Sequence, residues 1–420
     1  MGRFRGTWFI VGFYAQKIIP GAIGLIILPW AFVRLGGRVY GGYSITFFKI
    51  NAFSMLAGAW ISQAVIRNIR SGSYSRRTLK LALPSLFFSG ALASLFACLL
   101  EWAGFLGSVH DNLSRPNIFL GLAIFFSASQ SALLAIVQVT GRHLFCVASD
   151  LVRVVAPVAL LVFFEKALSV SERVNLALAI GYGLALLSIV PPVFIIWRDA
   201  RYEVGGDYLI SRLKFLQYGL PLSLYSGSAM WVQYVVRQAM AVAGQQFGDS
   251  GLLLLIADLV QRVVNSIFSP LISAFVPKII AEFNLGGAKN VLTLVKRIEQ
   301  LIFGSGFFFG CALIVVAMAR FRNFSRAPEI ECFVEFLGAS LFMNASIARQ
   351  KILELKSQTW FIGVAMVVAS AATYLAVDRI HAGVGANIPG LALLVANCGL
   401  YFVTVAKARA IPLLGDGVVR

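Results

Sequence analysis

A chain of 420 residues that is 59% hydrophobic and 13% charged, with a mean hydropathy of +0.82, departs far from a soluble domain, where about a quarter of residues are charged. The bilayer is therefore its expected solvent, and the expected class is an all-α integral membrane protein. Lys and Arg outnumber Asp and Glu by 36 to 18, a net charge of +18; in a membrane protein that excess collects in cytoplasmic loops and reports orientation, so nucleic acid is not implied as a partner.

The opening MGRFRGTWFIVGF has the charged start and apolar middle of a secretory signal. No A-x-A-like site follows, and the apolar run continues past Lys17 to Arg34, so a retained first transmembrane helix is expected. Twelve spans are predicted, at 7–33, 43–66, 81–101, 118–139, 147–165, 175–197, 217–240, 251–275, 298–319, 332–347, 359–377 and 387–406. The tenth is the weakest, because Glu335 and Asn344 interrupt it. With both termini in the cytoplasm, the inside loops carry more than twice as many Lys and Arg as the outside loops, and RNIRSGSYSRRTLK anchors the assignment.

The polar segment RDARYEVGGDYLISRLKF divides the chain. The expected organisation is an N-terminal lobe over 1–200, a cytoplasmic inter-lobe linker over 201–216, a C-terminal lobe over 217–406 and a cytoplasmic tail over 407–420. The start of the second lobe echoes the first: Gln16 precedes Pro20 by four residues as Gln217 precedes Pro221, and Tyr40-Gly41 is matched by Phe247-Gly248. Internal repeats of this kind build many transporters, with substrate near the membrane midplane between the halves.

Several chemistries lack their residues. There is no G-x-x-x-x-G-K-[ST], so the chain has no P-loop for ATP. Only His110, His143 and His381 are present, with no H-E-x-x-H spacing, and no metal or other cofactor is expected. Cys98, Cys146, Cys311, Cys332 and Cys398 stand singly, as packing residues. The largest outside loop, EWAGFLGSVHDNLSRPN, is under twenty residues and carries one acid worth naming, Asp111, which argues against an enzyme.

Charges inside the spans carry the functional expectation, because each intramembrane cation costs at least ~2.5–3.5 kcal/mol and should face a cavity or a partner. Lys17 shares a helix face with Tyr14, Gly21 and Gly24, beside Pro20. Arg237 continues a line through Ser226, Met230 and Gln233, and either lines a cavity or snorkels outward. Asp258, Arg262, Asn265 and Ser269 make one polar face over three turns: an internally neutralised pair, or an ion-coupling site at Asp258. Lys49 is close enough to the outer interface to snorkel. Asp150 and Arg153 read as a helix start, and Gln63, Gln130 and Gln138 as cavity liners.

The run LPWAFVRLGGRVYGGYSITFFKI, followed by GAWISQAVIRN, resembles the early part of Wzx-type bacterial polysaccharide flippases of the multidrug/oligosaccharidyl-lipid/polysaccharide (MOP) exporter superfamily. The matching features are Leu35-Gly36, Tyr40-Gly41 and Arg67; later, LQYGLPLSL resembles the family's second half, and SPLISAFVPKI its eighth helix, with Pro277 and Lys278. The resemblance implies a MATE-like, V-shaped bundle of two six-helix lobes in the bacterial inner membrane. It would move undecaprenyl-diphosphate-linked oligosaccharide repeat units, of O-antigen or capsule, to the outer leaflet by alternating access. The cavity cations would be Lys17, Arg237, Arg262 and Lys49, and the polar or ion-coupling residues Asp258, Gln233, Asn265, Gln63 and Gln130. H+ or Na+ would couple transport, with membrane lipids, a polysaccharide polymerase and a chain-length regulator as partners. The Asp258/Arg262 pair has no counterpart in the family pattern. Two rivals stand beside this reading: a MATE-like drug or organic-cation antiporter, and a polytopic polymerase or ligase using Arg320, Arg322 and Arg326.

Overall fold

A computed structural model describes residues 2–68, 76–106, 117–164, 169–199, 208–247, 250–285, 288–320, 327–356, 358–380 and 388–410. Among these residues the protein is all helix: α1 (Gly2–Leu35), α2 (Gly37–Asn68), α3 (Arg76–Trp102), α4 (Ile118–Val139), α5 (His143–Phe163), α6 (Val170–Asp199), α7 (Tyr208–Phe247), α8 (Ser250–Asn284), α9 (Ala288–Arg320), α10 (Ala327–Leu355), α11 (Thr359–Ile380) and α12 (Ile388–Ala410). Ten are long and apolar enough to cross a membrane on their described residues, all but α7 and α9. The weakest expected span becomes α10, whose apolar stretch runs from Glu329 to Leu355. A helix satisfies its own backbone polar groups, which is why lipid-embedded sequence takes this form.

Leu35-Gly36 marks a turn made by a single residue. Gly36 has φ +80 and so takes the left-handed conformation that a Cβ disfavours, while its N–H donates to the Phe32 carbonyl at 3.0 Å and closes α1. Tyr40, wholly buried, meets Phe32 edge-on with ring centroids 5.8 Å apart and fixes the entry of α2. Gly141, φ +75, plays the same part between α4 and α5.

The helices group into two compact units, Met1–Gln238 and Ala239–Arg420. The division falls inside α7, after Gln238, whereas the sequence places a linker ahead of that helix; residues 201–207 of that segment lie outside the described residues, and 208–216 open α7. In the first unit α4 is the central post, packed by α2, α3 and α6, while α5 bridges α6 and α1. Its small-residue run SASQSALLA lets neighbours close in: a Cβ on Gly58 of α2 would lie 2.8 Å from the Ala128 carbonyl oxygen. Serines stitch the helices, with Ser89 Oγ on the Ala57 carbonyl at 2.9 Å, and Ser149 Oγ on the Ala185 carbonyl at 2.8 Å. The first part of α7 belongs here because Ser223 Oγ donates to the Leu56 carbonyl at 2.6 Å, one helical turn on from Gly219, which lies against Trp60.

A Cβ on Gly219 would overlap the Trp60 carbonyl oxygen and lie 2.8 Å from its carbonyl carbon, atoms that cannot step aside. Gly219→Ala is expected to cost about 1–3 kcal/mol through overpacking. Gly304→Ala on α9, where nothing lies within 4 Å, is the control, expected to be neutral or mildly stabilising. Melting temperatures in detergent check both.

In the second unit α10 is the post, packed by α8, α9 and α12, and α12 in turn carries α11. Phe303, Phe342 and Tyr401 form an aromatic knot across α9, α10 and α12, with centroids 5.2–5.8 Å apart. Asn397 Nδ2 donates to the Ala339 carbonyl at 3.0 Å and pins α12 to α10.

Candidate functional site

The most extensive polar cluster of the first unit surrounds α5, on residues that the sequence reading took for a helix start. That reading began the span at 147, but α5 begins at His143, so Asp150 and Arg153 lie seven and ten residues inside the helix, about 10 and 15 Å from its start. Gln130 of α4, wholly buried, sits between them. Its Nε2 donates to Asp150 Oδ1 at 3.4 Å and to Ser149 Oγ at 3.1 Å, and its Oε1 accepts from Arg153 Nη1 at 3.3 Å. The amide thus faces each charge with the end of matching polarity.

Three further helices complete the cluster. Arg153 Nη2 donates to Asn51 Oδ1 of α2 at 2.5 Å and to Ser127 Oγ of α4 at 3.5 Å, and the guanidinium lies over the Tyr182 ring of α6, 5.1 Å from its centroid. Gln16 of α1 donates through Nε2 to Asp150 Oδ2 at 3.4 Å, leaving its own Oε1 buried without a hydrogen bond. Lys17 follows it in chain, half-buried. Among the described residues Lys17 makes no hydrogen bond and no ion pair, and Arg153 bonds only neutral groups. The cluster therefore holds one cation, Arg153, and one carboxylate, Asp150, on the two ends of the same amide.

The other expected residues of this unit gather elsewhere. Lys49 does not snorkel: it is buried, with Nζ 3.3 Å from Glu101 Oε1 at the end of α3 and 3.4 Å from the Leu106 carbonyl, and 5.9 Å from the Tyr234 ring centroid. Burial without a partner would be prohibitive, and Glu101 supplies the counter-charge. Arg237, 0% exposed, does not snorkel either. Its Nη1 donates to Gln233 Oε1 at 2.5 Å and to the Gln233 carbonyl at 3.3 Å, and its guanidinium carbon stacks 3.7 Å from the Phe48 ring centroid. The predicted Gln233/Arg237 line is thus a real contact, tied to α2 through the residue preceding Lys49. Gln63 is half-buried farther along α2.

In the second unit the predicted polar face of α8 is graded: Asp258 is buried, Arg262 half-buried and Asn265 exposed. Asp258 and Arg262 both interact with surrounding groups, and Asn265 Oδ1 accepts from Asn344 Nδ2 of α10 at 3.1 Å. A buried ion pair of this unit went unnoticed in sequence. Arg349 of α10 and Glu299 of α9, both buried, pair through Nε–Oε1 and through Nη2–Oε2, the latter at 2.6 Å. Glu299 lies at the start of its expected span and Arg349 two residues beyond the end of its own, in the part of α10 that overruns that limit. Arg320, Arg322 and Arg326, which a polymerase or ligase would use, have no described side chains, and no group of three His, Cys, Asp or Glu capable of holding a metal occurs among the described residues.

No family model matches the chain, and neither does any curated protein. Solved structures do match. A MATE protein crystallised in complex with MaD5 superposes with TM-score 0.64 at 13% identity, over 96% of this chain and 94% of the other. The outward-facing conformation of a multidrug resistance MATE family transporter of the MOP superfamily gives 0.63 at 11% identity over the same shares. A MOP superfamily transporter from Pyrococcus furiosus Vc1 (DSM3638), whose reversed binding-pocket polarity suggested a different function, gives 0.58 at 12% identity over 94% of each chain. The protein therefore has a MATE-like fold along nearly its full length.

Proposed function

We propose that the protein is a Wzx-type flippase, carrying undecaprenyl-diphosphate-linked oligosaccharide repeat units from the inner to the outer leaflet of the bacterial cytoplasmic membrane by alternating access through a cationic cavity. The observation that carries this reading is the pair of unneutralised cations of the first unit: among the described residues neither Lys17 nor Arg153 has an ion-pair partner, and Arg153 shares the Gln130 amide with a single carboxylate, Asp150. A diphosphate crossing hydrocarbon needs counter-charge, which a lysine supplies as a point charge and an arginine as a fork. The buried Arg237 adds to the same sign. With no P-loop in the sequence, the energy is assigned to an H+ or Na+ gradient, with the buried Asp258 as the coupling residue.

A MATE-like organic-cation antiporter is the second reading. It is favoured by Asp150, an acid held by two glutamine amides and able to greet a positive substrate.

The deciding experiment follows lipid-linked intermediates by leaflet. Lys17→Ala with Arg237→Ala should abolish surface polysaccharide and pile the lipid-linked unit on the inner leaflet, with vesicle transport dependent on an imposed proton or sodium gradient. Normal surface polymer with altered dye resistance would favour the antiporter. Single repeat units collecting on the outer leaflet would favour a polymerase or ligase.

A further inference from the structure

The pairs Glu299 with Arg349 and Glu101 with Lys49 are both buried but differ in build. Glu299 engages its arginine with both carboxylate oxygens, Oε1 on Nε and Oε2 on Nη2, the second at 2.6 Å. Glu101, whose side chain is 3% exposed, meets Lys49 with Oε1 alone, at 3.3 Å, where an ammonium on a carboxylate usually stands at about 2.7–2.9 Å. Its Oε2 is buried without a hydrogen bond among the described residues. A buried charge is held well when further bonds satisfy its remaining lone pairs, and this carboxylate lacks them. Glu101 is also the next-to-last residue of α3, where the carbonyl end of the helix already gathers negative charge.

The unbonded oxygen suits one occupant. A metal ion needs several oxygen ligands, no group of three His, Cys, Asp or Glu able to hold one occurs among the described residues, and the Lys49 ammonium on the same carboxylate repels a cation. A proton needs this single oxygen and removes the charge. The charged and titratable groups about Glu101 are Lys49 on α2, Cys98 one turn earlier on α3 and, beyond the lysine, Tyr234 and Arg237 on α7. The helix α4, packed on α3, carries no such residue, and His110 and Asp111 of the following loop lie outside the described residues.

We infer that Glu101 is a reversible proton-binding site whose occupancy ties or frees the end of α3. Ionised, it holds Lys49, which grips α3 at two points: the Glu101 side chain and, at 3.4 Å, the Leu106 carbonyl beyond the turn made by Gly104, φ +80. On protonation an O–H bond forms at Oε2 and the carboxylate charge is lost, while Lys49 keeps its own. A carbonyl and the face of Tyr234, 5.9 Å away, do not balance a buried ammonium, so the lysine moves out toward water along its flexible stem and both contacts release. This site lies in the first unit, apart from Asp258, and does not depend on the nature of the cargo.

The test uses the full-length protein in phospholipid vesicles and dicyclohexylcarbodiimide, an apolar reagent that modifies carboxyl groups in their protonated form, with peptide mass spectrometry comparing Glu101 and Glu299. Glu101 should label more as the pH falls, dropping about tenfold per pH unit on the alkaline limb as one titrating proton requires, while Glu299 stays unlabelled. Lys49→Gln, which removes the cation holding the ionised form, should label faster at a given pH, and Lys49→Arg should not. Hydrogen exchange reads the tie: protection of the Gly104 and Phe105 amides, bonded to the Glu101 and Leu100 carbonyls, should fall on acidification once the intrinsic effect of pH is removed, and should be low at every pH in Glu101→Gln. Unlabelled Glu101 at every pH, labelling indifferent to pH, or equal labelling of Glu299 in the unaltered protein would each overturn the proton site, whether or not a variant folds. Labelling with unchanged protection would overturn the release. None of these readings involves the cargo, so surface polymer that persists in the Lys17/Arg237 variant sinks the flippase reading and leaves this site standing.

Discussion

Glu299→Ala is expected to destabilise the protein by about 3–5 kcal/mol, because it strands the Arg349 guanidinium, 2% exposed, with no counter-charge. The geometry makes the loss severe. Two of the three guanidinium nitrogens of Arg349 bond Glu299, and the third, Nη1, is buried without a hydrogen bond, so no spare acceptor is at hand. The double variant Glu299→Leu/Arg349→Leu should recover most of the loss, since removing both charges also removes their desolvation penalty. Unfolding in mixed detergent micelles measures all three proteins, and the argument fails if the single variant is no less stable than the double. The pair joins α9 to α10, so its rupture loosens the post of the second unit.

The second large effect is expected at Arg153. Arg153→Leu removes the donor for Gln130 Oε1, Asn51 Oδ1 and Ser127 Oγ at once, and leaves Asp150 as the remaining charge on the Gln130 amide. Hydrogen bonds to a charged group are worth about 1.5–3 kcal/mol each, so a loss near 3 kcal/mol is expected together with abolished transport. Arg153→Lys should be intermediate in stability yet as inactive as Arg153→Leu, because a lysine keeps the charge and cannot span acceptors on α2 and α4 while stacking on Tyr182. Transport near the wild-type rate in Arg153→Lys would show that charge alone suffices there.

Much of the fold was legible because its causes are local. Hydropathy over some twenty residues places a helix wherever it occurs, and Gly36 marks its turn through a conformation that other residues avoid. The site was legible only in part. Lys17, Gln130, Gln233 and Arg237 stand out as polar residues in apolar runs, and each proves buried or half-buried against other helices. Asp150 and Arg153 were read as a helix start because the expected span began at 147, four residues after α5 does; Glu299, at the start of its expected span, and Arg349, two residues past the end of its own, were passed over, although α9 and α10 continue beyond both limits. Lys49 failed differently. Its counter-ion, Glu101, is 52 residues away in the chain, and nothing local announces that α3 brings the two within 3.3 Å.

The amide of Gln130 has a consequence of its own. Three residues apart on one helix, Asp150 and Arg153 could clasp and extinguish each other's field; with the carboxamide wedged between them, neither oxygen nor guanidinium touches its opposite. The gap works like the dielectric between two capacitor plates, keeping separated charge in store. An ion arriving at either plate meets a field that a closed pair would have cancelled, and drawing that wedge aside would discharge it.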